Sequence, residues 1–123
     1  MEKILKNAQM AVMLNQLRPI LSRRDKMGYI AARNFRTLSE SLTEYEAFRN
    51  ALVMKYGEEI EDGEGRSITG VKVDSPAFEL FCAELAPFNE MEHKVDLMTG
   101  KYDDAIGCLT GEEILNIDWM LED

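Results

Sequence analysis

Histidine is almost missing from this chain of 123 residues: His93 is the single one. That excludes most multi-histidine zinc sites, and on an alternating segment a lone imidazole reads as half-buried filler. Cysteine is scarce too. Cys82 and Cys108 show no CxxC and no framework spacing, so a disulfide scaffold is excluded and both are expected as reduced thiols in the core. Nothing local places either thiol beside His93 as a nucleophile pair. No apolar run nears the roughly 18 residues of a spanning helix, and the N-terminus lacks a signal h-region, which points to the cytosol. GxGxxG, Walker, HExxH and GxSxG patterns are all missing, and Asp103 and Asp104 stand as loop or cap residues without a partner motif. No enzyme is expected, and no catalytic, cofactor or metal residue is assigned.

What the chain does have is ordinary apolar content, 46% hydrophobic, enough for a core without staples and too much for global disorder. Its charge is uneven. Residues 1–57 carry 10 Lys/Arg against 5 Asp/Glu, and residues 58–123 carry 4 against 18, within a net charge of −9. A single domain is expected, with a basic helical half (1–57) and an acidic α+β half (58–123). The two signs either serve separate surfaces or match each other, within the chain or across two copies.

The strongest periodic signal runs from Lys26 to Tyr56. Ala31, Phe35, Leu38, Leu42, Tyr45, Phe48, Leu52 and Tyr56 advance in steps of four and three, one stripe on a helix about 45 Å long at 1.5 Å per residue. Gly57 supplies its stop. Such a rod outruns a small core, so it must pack on an earlier helix, on C-terminal elements or on a neighbouring chain.

The flanking elements are shorter. "KILKN" reads as an edge strand, followed by a helix over 7–18 with Asn7 as N-cap, Met10, Met13, Leu14 and Leu17 on one face, and Pro19 at its end. "SITGVKV" has strand character. "DSPAFELFCAELAPF" is a helix capped by Asp74 or Ser75, closed by Pro87, and buried through Phe78, Phe81, Cys82 and Leu85. "MEHKVDLM" alternates as a half-buried strand with Met91, His93, Val95 and Leu97 on one face. In "LTGEEILNIDWMLED", Thr110 and Glu113 form a capping box, and Ile114, Ile117, Trp119 and Leu121 offer apolar surface. The expected fold is α+β and mainly helical: one long central helix, shorter helices and a small antiparallel β-ribbon.

"KYGEEIEDGEGRS" places five carboxylates in thirteen residues. With Gly63 at position 6 of an EF-hand loop, Glu58 falls at 1 and Asp62 at 5. Ile60 and Thr69 then occupy positions 3 and 12, where carboxylates are required. Asp62-Gly63 is instead a turn dipeptide, and the segment reads as a solvated turn. The basic counterpart is Arg18, Arg23, Arg24, Lys26, Arg33 and Arg36, with Asp25 the one acid among them. It suits phosphates, an acidic protein surface or a charge match within the protein.

The order of these pieces resembles a family of small uncharacterised phage and prophage proteins from Gram-positive hosts. The likeness covers nearly the whole chain and is carried by Ala32-Arg33-Asn34, by Lys55-Tyr56-Gly57 before the acidic turn, and by Leu109-Thr110 with Glu112-Glu113. The stretch between Pro19 and Gly28 is more basic than the family pattern. The resemblance implies a phage setting, in the host cytoplasm or on the virion, and transfers no catalytic residue.

The leading expectation is therefore a non-enzymatic accessory protein that binds protein, as a virion-associated or assembly factor. Its partner would be a second copy, a phage structural protein or a host protein. One alternative is a counter-defence inhibitor that engages a host nuclease, such as a CRISPR effector, through Glu58, Glu61 and Asp62. Another is a non-specific nucleic-acid binder using Arg23, Arg24, Arg33 and Arg36.

Overall fold

The chain is α+β and mainly helical, as its periodicities predict; the computed structural model describes residues 1–61 and 63–123. In chain order the elements are β1 (Glu2–Lys6), α1 (Asn7–Leu17), α2 (Lys26–Tyr56), β2 (Glu58–Glu61), β3 (Ser67–Gly70), α3 (Pro76–Asn89), β4 (Glu92–Asp96), β5 (Gly100–Lys101), α4 (Tyr102–Ala105), α5 (Gly111–Asn116) and β6 (Leu121–Glu122). Single 3₁₀ turns lie at Arg18–Ile20 and Asp118–Met120. The elements form two compact units, residues 1–42 with 92–123, and residues 43–91.

The rod α2 is unbroken over 31 residues and runs through both units. Asp25 opens it: its Oδ1 accepts the Gly28 N–H at 3.2 Å, and its carbonyl accepts the Tyr29 N–H at 3.2 Å. Glycine is required at 28, where a Cβ would stand 2.1 Å from the Arg23 carbonyl oxygen. Along the stripe, Ala31, Leu38, Leu42 and Leu52 are buried, and Phe35, Tyr45, Phe48 and Tyr56 are half-buried. The rod outruns one small core, and the chain meets this with two cores. Its own side chains therefore cover the stripe.

In the first unit, Met10, Leu17, Ile20, Met27, Leu38, Leu42, Leu97, Ile117 and Met120 are fully buried. Each such side chain contributes about 1.5–3 kcal/mol, and the three methionines can fill irregular gaps between short elements. β1 pairs antiparallel with β4, Glu2 opposite Asp96 through Lys6 opposite Glu92. His93, Val95 and Leu97 point inward from this ribbon while Glu92, Lys94 and Asp96 face water. β5 and β6 form a short parallel pair. The Thr110–Glu113 capping box is present: the Glu113 N–H reaches Thr110 Oγ1 at 3.1 Å, and the Thr110 N–H reaches Glu113 Oε1 at 2.8 Å.

In the second unit, Leu52, Phe81 and Leu85 form a small core, with Tyr45, Phe48, Val53, Tyr56 and Val71 packed against it. Ser75 is the α3 cap, accepting the Ala77 N–H at 3.2 Å, and Pro76 follows at the first helical position. The Tyr56 hydroxyl and Lys55 Nζ both meet Glu84 Oε1, at 2.8 and 3.2 Å, joining α2 to α3. These donors hold the Glu84 carboxyl below its ordinary range, Tyr56 contributing most.

Several expectations are corrected. Lys6, not Asn7, caps α1: β1 runs directly into the helix, and the Gln9 side chain accepts the Lys6 N–H at 2.9 Å, leaving Asn7 as a buried first-turn residue. Pro87 does not close α3, which continues through it to Asn89; the lost N–H and the crowding of the carbonyl four residues back fall near the helix end, with only two helical residues following. The strand in "SITGVKV" stops at Gly70, and Met91 is exposed outside β4. Both cysteines are exposed rather than in the core. Cys82 lies about 100° around α3 from Phe81, beyond the arc that one neighbouring helix covers.

Candidate functional site

The basic segment does not assemble into one surface of free cations. The Arg23 guanidinium grips Asp25 Oδ2 through Nε at 2.9 Å and Nη2 at 2.6 Å, so Asp25 is held below the ordinary carboxylate range, the Arg23 bonds being the largest cause. Lys26 meets Asp104 at 3.2 Å and Arg36 meets Glu40 at 3.2 Å. Arg18 donates to Asn15 Oδ1 at 3.2 Å and lies 5.2 Å from the centre of the Phe35 ring. Arg24 and Arg33 remain exposed without an ion-pair partner among the described residues. Arg33 borders two shallow hollows. One, about 360 Å³, also holds Thr37, Thr99 and Asp96; the other, about 270 Å³, holds Arg36, Thr37 and Glu40. Each contains a carboxylate that opposes a phosphate.

Much of the charge asymmetry is matched inside the first unit. Residues 1–42 have 8 Lys/Arg against 3 Asp/Glu, and residues 92–123 have 2 against 9. Residues 43–91, with 4 against 11, hold the unmatched acid. There Glu58 and Glu61 sit three apart on β2, so their side chains leave opposite faces of the ribbon. Glu58 also meets Lys72 at 3.7 Å. Asp62 lies outside the described residues. The acidic candidates Glu58 and Glu61 thus share no face, and a phosphate-like row does not form from them.

A hollow with a mainly apolar wall lies elsewhere. Lys3 and Leu5 of β1, Gln9, Val12, Met13 and Gln16 of α1, and Trp119 enclose a groove of about 390 Å³. Trp119 is half-buried and fixed by its indole N–H, which donates to Gln16 Oε1 at 3.0 Å. Val12 is 57% exposed on the α1 wall. At one end Gln9 takes up the Lys6 N–H, which points away from β4, so the groove adjoins the open edge of β1. None of the six sequence-assigned contact residues that are described, Arg23, Arg24, Arg33, Arg36, Glu58 and Glu61, lines it. Trp119 was legible only as apolar surface, because nothing local shows that residue 119 returns to α1.

No family model, curated protein or solved structure matches the chain. Among the described residues, no three His, Cys, Asp or Glu side chains stand together so as to hold a metal ion. No helix of the described residues is long and apolar enough to cross a membrane.

Proposed function

We propose that this chain is a non-enzymatic phage or prophage accessory protein that works by binding protein, and that the groove beside Trp119 is its contact site. The observation that carries this reading is the groove itself: an aromatic held in place by one hydrogen bond, an exposed Val12 wall, and an open strand edge alongside. A rigid aromatic in an apolar depression with a polar rim is the usual centre of a protein contact. The phage setting is supported by the order of the Ala-Arg-Asn, Lys-Tyr-Gly and Leu-Thr-x-Glu-Glu pieces. The length of α2 gives no support, since its stripe is covered by the chain itself.

The test is site-specific photocrosslinking in infected or induced cells. A photoreactive residue at Val12 is expected to give a discrete adduct with a second copy or with a phage structural protein, and Trp119→Ala is expected to abolish it. The same probe at Leu115, 79% exposed and outside the groove, should give none. Equal labelling from both positions, or no adduct at 12 throughout infection, refutes the reading.

A further inference from the structure

We propose that the partner accepted at this groove is a second copy of the chain, joined through β1 to make a four-stranded antiparallel sheet ordered β4-β1-β1-β4 with a twofold axis at Ile4. The inference rests on the groove being a protein contact, and it names the partner.

Met1 and Leu97 exchange both backbone bonds, 2.9 Å from the Met1 nitrogen to the Leu97 oxygen and 2.8 Å in return. In an antiparallel ladder such pairs alternate with non-bonded ones. With the β1–β4 register, Lys3 and Leu5 then point their N–H and C=O groups at β4, and Glu2, Ile4 and Lys6 point theirs outward. The Lys6 N–H, bonded to Gln9 outside the ribbon, agrees. Among the described residues no strand pairs with the outer edge of β1, and Ile4 has an outward donor and acceptor there. Its side chain, 66% exposed, is the one apolar group on a ribbon face otherwise formed by Glu2, Lys6, Glu92, Lys94 and Asp96.

The strand is complementary to itself. Laid antiparallel on a copy about Ile4, "EKILK" sets Glu2 opposite Lys6 twice and Ile4 opposite Ile4, and the two Ile4 residues exchange both backbone bonds. On the inner face Leu5 of the second copy falls opposite Lys3, over the groove. The other edges do not offer this. β4, "EHKVD", laid on itself about Lys94 sets Lys94 against Lys94 and Glu92 against Asp96. β2, "EEIE", sets carboxylate against carboxylate, while β3, "SITG", has no charges to match and ends in glycine. Like charges guard β2 and β4; β1 carries opposite charges at matching distances from its centre.

Sedimentation equilibrium across concentration tests this. The wild type is expected to reach twice its 14.0 kDa mass. Glu2 also meets Lys94 within the ribbon at 3.4 Å, so Lys6→Glu is the cleaner variant. It should weaken association on the order of tenfold, because two symmetric pairs turn from attraction to repulsion. Glu2→Lys should do so while also losing the Lys94 pair. The double variant should restore it. Ile4→Pro should give a monomer while keeping the β1–β4 ladder, since the lost N–H points away from β4; amide spectra of residues 92–96 check that the ribbon survives. A 14.0 kDa species up to millimolar concentration overturns the proposal, as does a dimer indifferent to Ile4→Pro or a double variant no better than the singles. If the chain stays monomeric while a Val12 adduct with a phage structural protein still depends on Trp119, self-pairing fails and the groove reading stands. A dimer sensitive to Ile4→Pro without any Val12 adduct overturns the proposal together with the groove reading, since the second copy then does not occupy the groove.

Discussion

Replacing Asn34 should be the most damaging single polar change in the first unit. Asn34 lies on the buried stripe of α2, between Ala31 and Leu38, and is 1% exposed. Its side-chain amide pairs with residue 98 as a neighbouring strand would: Oδ1 accepts the Met98 N–H at 2.7 Å, and Nδ2 donates to the Met98 carbonyl at 3.0 Å. Nδ2 also reaches Met120 Sδ at 3.4 Å. Asn34→Ala removes two good hydrogen bonds, each about 1 kcal/mol net, and strands the backbone groups of Met98 away from their partner. Met98 is 38% exposed, so water recovers part of the loss, and the expected cost is about 2–4 kcal/mol. At roughly 2.1 cal/mol/K per residue, that lowers the melting temperature by about 8–16 °C for a cooperative transition. Urea titration followed by Trp119 fluorescence reports on the same unit. Asn34→Leu, similar in volume, should fall equally, because an apolar side chain satisfies neither group. Asn34→Asp keeps an acceptor for the Met98 N–H but turns a buried carboxylate on the Met98 carbonyl. Its folded pKa would be raised, so its deficit should be largest near neutral pH and shrink on acidification, as the protonated acid regains a donor. Losses under about 0.5 kcal/mol for both Ala and Leu would refute the claim that this amide holds the loop after β4.

Three other outcomes are expected. Leu52→Ala opens a cavity in the small core of Leu52, Phe81 and Leu85, costing about 2–4 kcal/mol, and should speed hydrogen exchange in residues 43–91 while Trp119 fluorescence stays native. Ellman's reagent should titrate two thiols rapidly in the folded protein; slow or partial reaction would contradict the exposure of Cys82 and Cys108. The Asp25 carboxyl, depressed chiefly by Arg23, stabilises the start of α2 above its unfolded pKa. That contribution should disappear as pH falls through the lowered folded value, so Asp25→Asn should remove that part of the acid dependence and NMR should show Asp25 titrating below an ordinary aspartate.

The local part of this protein was readable from residue order alone. The stripe from Ala31 to Tyr56, the Gly57 stop, the Thr110–Glu113 box and the alternation of His93, Val95 and Leu97 each depend on neighbours within a turn or a pleat, so spacing suffices. Even there Lys6 took the cap assigned to Asn7, because a strand arriving directly before the helix set the backbone at that point. The charge imbalance was visible, but not its resolution, because the acidic residues 92–123 join the basic residues 1–42 only through folding. A polar Asn34 on an apolar stripe was the one local sign that something buried needed its amide; its partner, Met98, is 64 positions away.

Tertiary structure alone decided the rest. It determined which strand pairs with β1, which backbone groups that pairing leaves outward, where Trp119 meets Gln16, and that Cys82 faces water. Local conformation follows from covalent geometry and short-range sterics written along the chain. A groove, an open edge or a covered stripe exists only once distant segments have competed for the same space.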